Sequence, residues 1–80
     1  MIIPPELKQV LSVDHNIMHG DLCFTGTRVP LTILLDNLAE GMGLDEFLVN
    51  FPSVTREQAR TVIRWEQQQI KRAIGLEDEF

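Results

Sequence analysis

The side chains best suited to chemistry fall into two groups. Asp14, His15, His19 and Cys23 are all potential metal ligands, and histidines four residues apart converge on one ion when they lie on a helix. Here Gly20 and the strand-like runs on either side break any helix, so the four side chains are not expected to converge and no metal site is expected. A Cys–His pair also needs an oxyanion device and an orienting third group, and neither is recognisable. Asp45 and Glu46 are adjacent, point to different sides of a helix, and cannot work as a general acid/base couple. With a single cysteine, neither an intrachain disulfide nor a multi-cysteine zinc site is available, and Cys23 is expected to be a buried, inert thiol. These residues point away from an enzyme and call for no cofactor.

The second group is basic. The chain carries a net charge of -5, which repels nucleic acid on average, but the charge is unevenly distributed. The segment 55–74 holds Arg56, Arg60, Arg64, Lys71 and Arg72 against only Glu57 and Glu66. At 100° per residue Arg56, Arg60, Arg64 and Lys71 fall on one helical face, about 110° from the apolar one. Arginine suits DNA recognition because its planar fork pairs with phosphate oxygens or with guanine O6 and N7. The competing reading is a solvated face laced with local charge pairs such as Glu57 to Arg60.

The elements that must position these groups are short. Eighty residues make one domain, read as residues 1–75 with an acidic tail over 76–80. Val10 to Val13 and Leu22 to Phe24 read as a small β element. Leu31, Leu34, Leu35 and Leu38 form the stripe of an amphipathic helix over Leu31 to Glu40, closed by Gly41. A second helix runs over Leu44 to Asn50, with Asp45 and Glu46 near its positive end, and Phe51-Pro52 stops it. The third begins at a capping box of Thr55 and Gln58, with Val54 and Ala59 placed for a hydrophobic staple, and runs to Ile74, where Gly75 ends it.

The stripe of this third helix, Ala59, Val62, Ile63, Ile70, Ala73 and Ile74, must face a core or a partner. Glu66 lies near its centre, where a buried carboxylate without a partner is costly. Pairing of Glu66 with a basic group across a protein interface is the expectation, with Ile70 and Ile74 in the same interface; the alternative is that this half of the helix projects into water. Trp65, on the flank, is either an interface anchor or ordinary core.

No window approaches the about 18 to 20 apolar residues of a membrane span, and the start Met1-Ile2-Ile3-Pro4-Pro5-Glu6 lacks the basic and apolar regions of a secretory signal. A soluble protein of the cytoplasm is expected.

Gly20, the run Phe24-Thr25-Gly26-Thr27-Arg28-Val29-Pro30, then Leu38-Ala39-Glu40-Gly41-Met42, Phe47-Leu48, Phe51-Pro52 and Val54-Thr55 together resemble the DUF433 family of small prokaryotic proteins. The similarity runs from about Leu11 to Trp65. It implies a mostly α fold, a homeodomain-like three-helix helix-turn-helix with a small N-terminal β element. It also implies an antitoxin of a type II toxin–antitoxin pair that binds a PIN-like ribonuclease toxin, forms a homodimer and binds its own operator DNA through the helix-turn-helix; a stand-alone DNA-binding transcriptional regulator is the alternative. Two positions depart from the family: Gly20-Asp21-Leu22 lacks the usual proline, and Gly43 replaces a serine N-cap at a cost of a few tenths of a kcal/mol.

Physical chemistry gives Gly26, Thr27 and Arg28 a structural reading of their own. Gly26 takes the positive φ of a tight turn, and Arg28 is expected to bond the free carbonyls at the end of a neighbouring helix. Its rival role is phosphate or toxin recognition. The tail Glu77-Asp78-Glu79-Phe80 is either a disordered terminus or an arm reaching into a basic toxin cleft.

Overall fold

The computed structural model describes residues 2–76; residues 77–80 of the acidic tail lie outside them. The chain opens with a 3-10 turn over Pro5–Leu7, which buries Leu7, and enters β1, Leu11–Val13. A second 3-10 turn, Met18–Gly20, leads into β2, Leu22–Phe24. The strands pair antiparallel with Leu11 opposite Phe24, Ser12 opposite Cys23 and Val13 opposite Leu22. Because side chains alternate across a strand, Leu11 and Phe24 share one face, and both are buried against the helices. The expected first strand begins at Val10; that residue lies outside β1, yet its carbonyl accepts from Thr25 N at 2.9 Å and continues the pairing.

Helix α1, Leu31–Ala39, starts directly after Pro30, buries Leu34 completely and half-buries Leu31, Leu35 and Leu38. Helix α2, Leu44–Asn50, buries Phe47, and Phe51 leaves the helical region ahead of Pro52 as expected. The Phe47 and Phe51 rings sit 4.8 Å apart with planes tilted by 31°, packing the turn between α2 and the next helix.

Helix α3, Arg56–Ile74, has both bonds of its capping box: Gln58 N donates to Thr55 Oγ1, and Thr55 N donates to Gln58 Oε1, each at 3.0 Å. It ends at Gly75, whose φ of 76° is left-handed, so that Leu76 N can turn back onto the Lys71 carbonyl at 2.8 Å. The core draws on the first 3-10 turn, both strands and all three helices: Leu7, Leu11, Phe24, Leu34, Phe47, Val54, Ala59 and Val62 are buried together. Val54 and Ala59 are both in that cluster, flanking the cap as a staple requires. The result is the mostly α, three-helix arrangement with a small N-terminal sheet. Among the described residues, no helix is long and apolar enough to cross a membrane.

Candidate functional site

Three regions compete for a role, and each is placed by α3. The first is the basic face. Arg56, Arg60 and Arg64 occupy successive turns and are all exposed, a line about 12 Å long at 1.5 Å per residue. Lys71 lies nearly two turns further on and is half-buried, so it extends the face without being part of its compact centre. Arg56 is not idle: its Nη2 stands 2.7 Å from Asp45 Oδ1 on α2, with the two side chains 54% and 86% exposed. That exposure makes the pair a weak, salt-screened link between helices, one that a phosphate could displace. The side chains of Arg60 and Arg64 form no ion pair or hydrogen bond to another described residue. The local pairing of Glu57 with Arg60 does not form; Glu57 offers its backbone carbonyl to Thr61 Oγ1 instead.

The second region is the turn over Gly26, Thr27 and Arg28. Gly26 adopts a φ of 79°, which lets the chain reverse after β2. Thr27 is buried and its hydroxyl works twice, donating to the Phe24 carbonyl at 2.8 Å and accepting from Val29 N at 3.0 Å. The anchor is therefore Thr27, and the expectation for Arg28 is corrected. Arg28 is exposed and bonds no helix carbonyl, because Thr27 already satisfies the turn. What ties this turn to the helices is Gln58, whose Nε2 donates to the Thr25 carbonyl at 2.9 Å.

The third region is the far end of α3. The apolar stripe splits in two. Ala59 and Val62 are buried and Ile63 is half-buried, whereas Ile70 and Ile74 are 56% and 62% exposed, with Ala73 and Glu66 exposed beside them. Around the axis Ile63, Ile70 and Ile74 fall within about 40° of one another, so the stripe is continuous and the domain simply stops covering it. Glu66 is in water in the single chain, so no buried carboxylate needs explaining. Trp65 does not belong to this open patch. Its ring packs against the core and Nε1 donates to Glu6 Oε2 at 3.0 Å, which uses it to hold the N-terminal turn. Of its two readings this contact favours ordinary core: the N-terminal turn, which sequence periodicity does not reveal, occupies that flank.

Cys23 is buried, and burial, reinforced by the nearby Asp21 carboxylate, pushes its thiol above the ordinary cysteine value. Among the described residues no three His, Cys, Asp or Glu side chains come together as a metal site would require.

The chain is a mostly α domain of three helices behind a two-stranded hairpin, with a basic line at the start of its last helix and an uncovered apolar end. The model of the DUF433 family, described as a protein of unknown function, matches residues 11–65, and the chain belongs to that family. A crystal structure of a DUF433 member protein from Anabaena variabilis ATCC 29413 superposes with a TM-score of 0.63 at 23% sequence identity, covering 91% of this chain and 86% of that one. At that identity the likeness concerns the fold. No curated protein matches the chain.

Proposed function

We propose that this chain is the non-catalytic antitoxin of a type II toxin–antitoxin pair, acting in the cytoplasm as a homodimer that binds and neutralises a PIN-like ribonuclease toxin. The observation that carries the reading is the uncovered end of α3. Ile70 and Ile74 expose apolar surface on a rigid helix, with Glu66 beside them to meet a basic group on the partner. A chain of net charge -5 is also suited to a nuclease surface built to hold RNA, since complementary charge speeds encounter. The test is co-purification with the product of the neighbouring reading frame, followed by an RNA-cleavage assay. A stoichiometric complex with suppressed cleavage supports the reading; a partner-free chain that leaves cleavage untouched removes it.

A second activity, operator binding through the helix-turn-helix, is favoured by the exposed line Arg56, Arg60 and Arg64. It serves either autoregulation within the pair or, as the alternative, a stand-alone transcriptional regulator. Replacing all three arginines by alanine is expected to abolish operator binding, and to flatten its salt dependence by about one unit of slope for each phosphate no longer neutralised. Unchanged binding would discard the arginine face.

A further inference from the structure

The exposed face of α3 is not evenly charged along its length. At the first turn Arg56 is held by Asp45 at 2.7 Å, and it stands against Asp45, Glu46 and Glu57, all exposed. The next two turns carry Arg60 and Arg64, and the nearest later carboxylate, Glu66, lies about 120° or more around the axis from either. A polyanion is therefore favoured around the middle of the helix and disfavoured at its tip.

The middle of that face also holds Gln67. At 100° per residue it falls about 20° from Arg60 and about 60° from Arg64. Gln67 is exposed, and its side chain bonds no other described residue. The other glutamines of α3 are placed differently. Gln58 commits its amide to Thr55 and Thr25, while Gln68 and Gln69 are half-buried and turn about 80° and 180° away from Arg60. Arg60, Arg64 and Gln67 thus form one fan of unpaired side chains, spanning about 60° of arc and about 10.5 Å of helix.

We propose that Gln67 reads an adenine in the major groove of duplex DNA, with Arg60 and Arg64 reading guanines beside it; the proposal rests on the operator-binding reading above. A carboxamide carries both a donor and an acceptor, which match N7 and the N6 amino group of adenine. A guanidinium carries donors only and matches O6 and N7 of guanine. Phosphate contacts position a protein without reading sequence, and a neutral amide gains nothing from the release of counterions. A base edge is the partner that suits a free amide in the centre of a cationic face. Base pairs stack at about 3.4 Å, so the three side chains cover about three to four of them, guanines toward the start of α3 and adenine toward its end. Arg56, drawn toward α2 by Asp45, lies outside this element and serves a phosphate. The major groove of B-DNA admits a helix at this depth, whereas that of duplex RNA is too narrow for side chains to read.

The test is selection by the full chain from a library of DNA duplexes with a randomised core, which requires no knowledge of the operator. The wild-type chain is expected to enrich a short element in which guanines adjoin one adenine. Gln67→Ala is expected to flatten the preference at the adenine alone, by about tenfold or more, with the salt slope unaltered because no charge is lost. Gln67→Glu is expected to move that preference to cytosine, whose N4 amino group donates to a carboxylate. Since Gln67 is exposed, both variants should keep the helical circular dichroism, which separates altered reading from unfolding. A motif that Gln67→Ala leaves intact would overturn the assignment while operator binding stands. Duplexes retained without enrichment of any sequence would reduce the face to phosphate contacts and overturn it as well. Failure to retain any duplex would end the operator reading together with this one.

Discussion

The Gln58 side-chain amide donates from Nε2 to the carbonyl of Thr25, thirty-three residues earlier in the chain, at 2.9 Å. The same amide accepts from Thr55 N through Oε1. One side chain thus closes the N-terminus of α3 and fastens the hairpin turn to it, which joins the β element to the helix that carries the basic face and the uncovered apolar end.

Two substitutions separate these jobs. Gln58→Glu keeps an acceptor for Thr55 N but loses the donor and sets a carboxylate against the Thr25 carbonyl; Gln58→Ala loses both. Urea unfolding is expected to show Gln58→Ala destabilised by about 1–2 kcal/mol. Gln58→Glu should fall between it and the wild type, at about 0.5–1.5 kcal/mol. Equal stability of all three would mean that the link to Thr25 carries no weight.

Cys23 gives stability a pH dependence whose sign is fixed. Its thiol is pushed up in the folded chain by burial and then by Asp21, so the folded state holds the proton more tightly than the unfolded one. The contribution is present in full below the ordinary thiol value and is lost as pH rises from that value through the raised one. Urea midpoints are expected to fall across this alkaline window, and Cys23→Ala is expected to remove the part due to the thiol. Alkylation of the native protein at neutral pH should be slow and should accelerate with denaturant, because the sulfur is buried. Fast alkylation of the folded chain, or identical pH profiles for the two proteins, would contradict this picture.

Asp45 restrains Arg56 at the start of α3. Because the pair is largely exposed, Asp45→Asn is expected to cost only about 0.2–1 kcal/mol of stability. Its effect on nucleic acid should be the larger one. Releasing the guanidinium and removing a nearby negative charge should tighten operator binding and steepen its salt dependence by up to about one unit of slope. Weaker binding by Asp45→Asn would show that the carboxylate orients Arg56 for recognition instead of competing for it.

What is legible in the sequence is local. The capping box of Thr55 and Gln58, the left-handed stop at Gly75, the Phe51-Pro52 break and the bounds of α2 are each written within a few residues, and the structure places them as expected. The strands are legible because β-branched and aromatic residues cluster between turn formers. What the sequence leaves out joins distant segments: Trp65 to Glu6, Arg56 to Asp45, Gln58 to Thr25. Each of these side chains has a sound local explanation that hides its long-range partner. Arg28 shows the converse error, since a cation beside a tight turn invites a helix carbonyl, and only the packing of Thr27 reveals that the turn is satisfied without it. For the candidate site, the stripe of α3 tells which residues are apolar, but where the domain ceases to cover them depends on how far the hairpin and the N-terminal turn extend along the helix.

The uncovered end of α3 is the surface on which the proposed function stands, and a direct measurement is available. Isothermal titration of the proposed PIN-like ribonuclease partner, with wild-type protein and with Ile70→Asp/Ile74→Asp, reads it without relying on activity. Both isoleucines are exposed, so the variant should keep its circular dichroism and unfolding midpoint. A saturable complex is expected with the wild-type chain, and a loss of affinity of about a hundredfold or more with the variant. Equal affinity for the two proteins, or no heat of binding with either, would contradict a toxin-binding role for this end of the helix.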